Sequence, residues 1–358
     1  VKYAVFDIDA AEERELERGS VDRIGTAVAD HGAAVHLMIE ALDAKGLSPE
    51  VAGHRVVHGG AEHTGPRRVD AALLASLEAL VPFAPLHLPP EIRAIRAMAA
   101  HWPKLPQVAC FDTAFHATIS AVASRYALPE RLHAAGIRKY GFHGLSYEYV
   151  VEALGAAQLG RAVIAHLGNG CSMAAVRGGK SVDTTMGFTP SAGLVMGTRA
   201  GDVDPGILVH LVEQGYDGLA LDQVVNREGG LLGVSGSTSD VRDLLSRRGS
   251  DTRAALALDV FAWSARKWVG AMTATLGGID TLVFTGGIGE HAAPVRAAIC
   301  EGLDHLGVVL DPARNIAATA VISPDGVRPT VHVVRTDEER VVARHAARLC
   351  AIGARGTP

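Results

Sequence analysis

Two glycine-rich stretches stand where chemistry is possible. Gly168-Asn169-Gly170 and Gly286-Gly287-Ile288-Gly289 each follow an apolar, β-prone run. Glycine lets backbone amides turn toward an anion and lets the chain approach it closely. Either stretch alone is more often a structural turn. Their matching places in the two halves of the chain favour nucleotide phosphates. Arg55 lies in a β-prone run before Gly59-Gly60, and Arg199 lies in MGTRAGDVDP among small residues. A guanidinium so placed can hold a planar anion bidentately. From spacing alone, an ordinary salt bridge explains either arginine equally well.

Other chemistries fail on spacing. GGKS at 178–181 is no Walker A loop, because Ala174 stands where the motif needs a glycine and VDTTM reads as strand. No GxGxxG follows a strand and opens a helix with an acid downstream, which argues against a dinucleotide fold. His54, His58 and His63 lie close together, but no cysteine or second histidine cluster completes a metal site.

The chain that must position these groups has 358 residues, 48% hydrophobic and 20% charged, with net charge −5. That length suggests two domains. Without a long basic run, no nucleic-acid footprint is visible. Cys110, Cys171, Cys300 and Cys350 are far apart and form no CxxC pair, which fits a reducing cytoplasm. No signal-peptide pattern appears at the N-terminus. The apolar stretch from about Ala254 to Leu276 carries Asp259, Arg266 and Lys267. It reads as a core helix rather than a membrane span.

Strands and helices alternate, which argues an α/β fold. VKYAVFDID (1–9) reads as a strand followed by a polar loop. The spacing predicts a helix over Asp22 to Lys45, a short strand at 53–60 and an Asp70-capped helix to Leu80. A proline-punctuated loop over Pro82 to Pro90 precedes a helix from Glu91 to Ala100. QVACFDTAFH (107–116) is a strand with Asp112 at its C-terminal tip. In the second half, 161–170, 171–180 and the run from Ser181 form a three-stranded meander with glycine turns. Pro294 suits the first turn of a helix. By analogy with that meander, VKYAVFDID is a second strand. The expectation is that a first strand and turn, roughly ten residues on a hairpin-length argument, precede Val1.

The ordered strings HRVVHGG, APLH, FDTAFH, KYGFHG, HLGNG, DTTMGFTP, GLVMGTRAGDVDP, GLLGVSG with SDVRD, FTGGIGE and TDEE span about residues 1 to 345. Together they resemble the acetate kinase family, a branch of the actin, sugar kinase and heat-shock chaperone superfamily. The resemblance implies two domains of duplicated βββαβαβα, ribonuclease H-like architecture with the active site in the cleft between them. The expected boundaries are 1–112 plus 341–358 for the acyl side, and 113–340 for the nucleotide side. It also implies Mg²⁺- or Mn²⁺-dependent transfer of the ATP γ-phosphoryl group to acetate, giving ADP and acetyl phosphate. A cytoplasmic homodimer is implied, with neither nucleic acid nor membrane as partner.

Residue by residue, Arg55 and Arg199 resemble the family's anion-binding arginines. His143 resembles the histidine at the transferring phosphoryl group, and Asp112 the essential acid. Val57, Leu86, Phe142 and Pro190, with His87 of APLH, correspond to the acyl-substrate site. His166, Leu167, Gly168, Asn169 and Gly170, then Asp240, Val241 and Arg242, then Gly286, Gly287, Ile288, Gly289 and Glu290, correspond to the nucleotide segments. Glu338 resembles the metal-associated acid, to which Asp112 is added as a metal organiser. Lys2 resembles the lysine ending an Asn-x-Gly-Ser-Ser-Ser-x-Lys phosphate motif, of which only Val1-Lys2 is present. A true loss of that motif would leave a catalytically impaired nucleotide-binding relative. Leu88, Leu145, Tyr147, Cys171 and His291 depart from the family's usual residues, and a propionate kinase is the sibling alternative.

The chemistry follows from charge. A small carboxylic acid is ionised at neutral pH, so no general base is needed. The difficulty is bringing an anion up to a triphosphate. Arg55, Arg199 and His143 are expected to complement the charge on the three equatorial phosphoryl oxygens. Closure of the two domains is expected to exclude water.

Overall fold

The computed structural model describes residues 1–9, 12–22 and 24–351. The chain forms two compact units, residues 1–115 with 337 onward, and residues 116–336. The last part of the expected 341–358 segment, 352–358, lies outside the described residues.

In unit 1, β1 (Lys2–Ile8) pairs antiparallel with β2 (Glu13–Ser20). The expected polar loop is therefore a strand. ERELERGS holds one large apolar side chain, Leu16, so hydrophobic alternation could not reveal it. Its charges pair instead: Arg14 reaches Asp7 at 3.2 Å and Arg18 reaches Glu15 at 2.8 Å. Charged side chains of this kind suit an edge strand. β3 (Ala52–Val56) runs parallel to β5 (Gln107–Phe111), and β4 (Arg67–Arg68) closes that sheet on the far side of β5.

Of three helices of unit 1, the first and third differ from expectation at their starts, and the second begins at its expected cap. The first begins at His31, not Asp22, because Asp30 caps it by accepting from Ala33 N at 2.9 Å. Gly25, at φ 87°, turns the chain before it. Ala71–Ala79 starts at its Asp70 cap. The third runs Leu88–His101 and takes Pro89 and Pro90 into its first turn, where no intrahelical N–H is needed.

The C-terminal helix Glu338–Cys350 packs on β1, β3 and β5. A Cβ on Gly53 would collide with Val342, and the Arg340 guanidinium lies 5.1 Å from the Phe6 ring centre. This packing places Glu338 in unit 1, whereas the expected boundary put it on the nucleotide side.

Unit 2 holds a five-stranded sheet in the order β10-β9-β6-β7-β8. β6 is Arg161–Leu167, β7 Cys171–Arg177, β8 Lys180–Thr184, β9 Thr281–Thr285 and β10 Thr330–Val333. β6, β7 and β8 form the expected antiparallel meander, and β9 and β10 add in parallel. GGKS is the β7–β8 hairpin turn. The apolar runs of β6, β7 and β9 are buried on both faces. The 25-residue helix Thr252–Leu276 crosses β6, β7 and β8. Asp251 caps its start, and Gly277 ends it in the left-handed region at φ 70°. β6 pairs with β7 on one side and β9 on the other. In unit 1 no described strand bridges β1 and β3 in that way, so its strands stand as two sheets. Among the described residues, no helix is long and apolar enough to cross a membrane.

Candidate active site

In unit 2 the first glycine stretch is the turn joining β6 to β7. Gly168 N donates to Gly170 O at 3.1 Å. Cys171, in place of the family's serine, donates Sγ–H to Gly168 O at 3.2 Å. Burial pushes its thiol up to about 12, so it packs as a neutral group.

Two imidazoles and a guanidinium crowd this turn. His143 caps the helix Gly144–Leu154 from the left-handed region, φ 59° and ψ 24°, an uncommon conformation for a residue with a side chain. Its ring stacks on His166, with centroids 4.2 Å apart. His143 Nδ1 lies 2.8 Å from Ser172 Oγ, and His166 Nδ1 lies 2.8 Å from Ser146 Oγ. The Nε2 atoms face the turn. A Cβ added at Gly170 would lie 3.4 Å from His143 Nε2 and 3.3 Å from Arg199 Nη1, and one at Gly168 would lie 3.8 Å from His166 Nε2.

Arg199 donates from Nη1 to Pro190 O at 3.0 Å and approaches Met196 Sδ at 3.8 Å. Among the described residues no carboxylate forms an ion pair with it. Burial lowers its proton affinity, but a guanidinium keeps its charge. Its loop is held firmly. Gly197 N donates to Asn169 O at 3.1 Å, and Leu231 N and Leu232 N donate to Met196 O and Gly197 O, each at 2.9 Å. Phe142 is buried beside His143, and its carbonyl lies 3.0 Å from His116 Nε2.

The second glycine stretch is itself helical, Gly286–His291, directly after β9. Gly286 has φ 76°, and a Cβ there would meet Leu167 O at 2.8 Å. Gly286 N and Thr336 N both donate to Glu290 Oε1, at 3.1 and 3.3 Å. Arg296, wholly buried, donates to Gly289 O at 2.8 Å, Glu290 O at 2.9 Å and Asn315 Oδ1 at 2.8 Å. Asp240 caps the helix Val241–Arg247 by accepting from Arg242 N, and it pairs with the exposed Arg242 guanidinium at 2.7 Å. That bidentate contact holds the Asp240 carboxyl at about 2.

In unit 1, Arg55 does not stand free. Its Nε and Nη2 hold Asp112 at 3.0 and 2.6 Å, and its Nη1 lies 3.3 Å from Glu338. The Arg55 side chain is 46% exposed and Asp112 only 1%. Glu91 completes the group. Both its oxygens accept from Val57 N, at 3.3 and 3.1 Å, and burial pushes its carboxyl up to about 8. Burial also raises Glu338, with Arg55 pulling against it and Asp112 adding to it. Lys2, in β1, helps lower Glu338. Three acids thus surround one guanidinium.

The expected acyl-site residues are divided. Val57, Leu86 and His87 lie in unit 1, Phe142 and Pro190 in unit 2. Val57 is buried, and Leu86 is exposed beside His87, which precedes the helix Leu88–His101. His54, His58 and His63 have local roles. His54 Nε2 lies 2.6 Å from Gln107, His58 Nδ1 accepts from Gly60 N at 2.9 Å, and His63 Nε2 lies 2.9 Å from Ser76.

The Acetokinase family model matches residues 4–344. The chain belongs to this family. An acetate kinase of Streptomyces avermitilis is 44% identical, over 96% of this chain and 93% of that one. A propionate kinase of Citrobacter rodentium is 42% identical, over 96% and 93%. The solved acetate kinase of Porphyromonas gingivalis superposes with TM-score 0.86 at 33% identity, over 98% of this chain and 99% of that one. The chain is therefore a two-domain α/β kinase of the actin-like fold that moves phosphate to a carboxylate, and its family uses ATP.

Sequence reading missed three residues around these groups. Ser172 was hidden in a buried strand, and only its register opposite His166 marks it. Glu91 read as a helix start. Arg296 gave no signal, because a fully buried arginine serving carbonyls looks in sequence like any surface arginine.

Proposed function

We propose that the chain catalyses reversible transfer of the γ-phosphoryl group between ATP and acetate, giving acetyl phosphate and ADP by direct in-line displacement. The observation that carries this is Arg199 Nη1 and His143 Nε2 meeting at Gly170 with, among the described residues, no carboxylate ion-paired to Arg199. A charged, half-buried guanidinium left without an acid is suited to an external anion. In this reading Arg199 and His143 stabilise the equatorial oxygens of the transferring group. The stretches 166–170, 240–242 and 286–290 hold the nucleotide, and Lys2 contributes positive charge to its phosphates.

Arg55 orients the acetate carboxylate, and Val57, Leu86, His87, Phe142 and Pro190 line the methyl's surroundings. Acetate needs no deprotonation, so no residue is assigned as general base. The surplus of acid around Arg55 fits a divalent cation. Mg²⁺ takes hard oxygen ligands and is commonly held by one or two carboxylates plus substrate phosphates. Asp112 and Glu338 would hold Mg²⁺ or Mn²⁺, which supplies charge neutralisation at the leaving phosphates.

The test is incubation with ATP, Mg²⁺, acetate and hydroxylamine, followed by detection of acetyl hydroxamate. No hydroxamate with acetate or propionate would end the proposal. The near-equal identity to a propionate kinase supports a second reading, propionate as the preferred acid. One methylene in an apolar site is worth only about 10–200-fold, so kcat/KM for the two acids decides it.

We also infer a cytoplasmic homodimer. The cysteines are unpaired, as a reducing compartment keeps them. The helix Pro205–Glu213 and its surroundings expose Ile207, Val209 (60%), Val212 and Leu219 (82%), an apolar face suited to a second copy. A monomeric mass by light scattering would remove the dimer.

A further inference from the structure

We infer that Tyr147 and Ser172 are positioning residues for His143, a hydroxyl relay that fixes its ring as the tautomer carrying the proton on Nε2. The inference deepens the phosphotransfer reading and rests on it for the meaning of His143, but not for the ring's protonation.

The relay is a buried line of three polar groups. Tyr147 Oη contacts Ser172 Oγ, and Ser172 Oγ lies 2.8 Å from His143 Nδ1. Tyr147 and Ser172 are wholly buried. Each comes from a rigid element: Tyr147 from the first turn of the helix that His143 caps, Ser172 from β7 opposite His166. The Tyr147 ring is held edge-on to His116, 5.6 Å between centroids.

Proton direction follows from acidity. A phenol, with pKa about 10, is a better donor than an aliphatic hydroxyl. Tyr147 therefore donates to Ser172. Ser172 has one proton of its own, and it donates that to Nδ1. The partner of one ring nitrogen decides which nitrogen is protonated, so Nε2 carries the N–H. Arg199 Nη1 and His143 Nε2 lie on the same side of Gly170. His143 then meets a phosphoryl oxygen as an N–H donor through Nε2, while Arg199 supplies the charge. Tyr147 stands where histidine is common in the family's GTSH string, so the phenol donor is a property of this chain.

The test uses the full chain with ¹⁵N-labelled histidine and long-range ¹H–¹⁵N correlation, with His143→Gln assigning the His143 ring signals. The wild type should show a protonated Nε2 and an accepting Nδ1 at neutral pH. Ser172→Ala should move the ring toward the Nδ1–H form, and Tyr147→Phe should give an intermediate mixture. Because the donor matters in the transition state, kcat should fall about 10²-fold in Ser172→Ala, the lower end for one lost donor. For Tyr147→Phe the fall should be about 10-fold, with KM for ATP and acetate within about twofold in both variants.

An Nδ1–H ring in the wild type would overturn the inference. So would wild-type ring signals and wild-type kcat in both variants. If Ser172→Ala does not fold, Tyr147→Phe alone decides, since it keeps the buried ring. The ring signature needs no substrate. A wild type silent in the hydroxamate assay defeats the proposed reaction while the spectra still judge the relay.

Discussion

Two glycines, two different failures. Gly170 and Gly286 sit in the two stretches that share a sequence signature, yet their surroundings differ. At Gly286 the backbone is left-handed at φ 76°, and a Cβ would meet Leu167 O at 2.8 Å and Leu167 C at 3.1 Å. Alanine there costs about 1–2 kcal/mol for the backbone and about 1–3 kcal/mol for forcing a neighbour aside. Together these make about 2–5 kcal/mol. A domain of 150–250 residues loses about 2–4 °C of Tm per kcal/mol, so Gly286→Ala should melt about 4–20 °C lower. Gly170 needs no left-handed backbone. Its Cβ would meet only the ends of two side chains, Arg199 Nη1 at 3.3 Å and His143 Nε2 at 3.4 Å. The fold should lose less than about 1 kcal/mol, within the range of a tolerated substitution. The methyl, however, takes the space into which both donors point. Loss of one such donor costs about 10²–10³ in rate, so Gly170→Ala should lose at least about 10²-fold in kcat. Calorimetry and hydroxamate formation on the two variants separate these outcomes. A Gly170→Ala protein that melts like Gly286→Ala, or one that keeps wild-type turnover, refutes the placement of the phosphoryl group beside Gly170.

Arg199→Ala should fold normally and lose about 10³-fold or more in kcat, as for an arginine serving phosphoryl transfer, measured by the same assay. Arg296→Met leaves Gly289 O, Glu290 O and Asn315 O without their donor and should cost about 1–3 kcal/mol, read as a lower Tm; an unchanged melt denies its anchoring role. For Glu91 the folded carboxyl titrates near 8 against an ordinary 4.5, so the folded state binds the extra proton between those values and stability falls as pH rises through that window. Glu91→Gln keeps an acceptor for Val57 N but cannot ionise, so its Tm advantage over wild type should be larger at pH 8 than at pH 5; an equal difference at both would refute the shift.

The unit 2 meander was legible because its strands are apolar on both faces and its turns are glycine. β2 was not, because an edge strand stabilised by Arg14–Asp7 and Arg18–Glu15 pairs carries no hydrophobic period. The helix over Leu88–His101 was read late because proline normally signals a loop, although the first turn tolerates it. At the candidate site, motif strings singled out Arg55, His143 and Arg199, but sequence could not separate the two arginines. Both are short-range identical, a guanidinium near glycine. Only coordinates show that one is enclosed by Asp112, Glu338 and Glu91 and the other is not. The supporting residues stayed hidden for the same reason, since Ser172 and Arg296 act through partners distant in sequence.

That difference between the arginines carries electrostatic consequences. Around Arg55 stand three acids, and burial, with Asp112 adding to it, pushes Glu91 and Glu338 up. Such surroundings repel a bare polyphosphate and attract a cation. Around Arg199, the held groups are a proline carbonyl and a methionine sulfur, so positive charge is left over. Such surroundings attract phosphate and repel metal. A reaction between two anions needs both environments: one to screen the polyphosphate through a cation, one to take up the oxygens of the group in flight. On the proposed reading, in which Arg55 takes the substrate carboxylate, it first releases part of its hold on Asp112 or Glu338. Its two edges are already taken, by Asp112 at 2.6 Å and Glu338 at 3.3 Å, and the longer contact is the weaker one to displace. A substrate carboxylate should therefore exchange with Glu338 at Nη1 and leave the shorter, buried Asp112 contact intact.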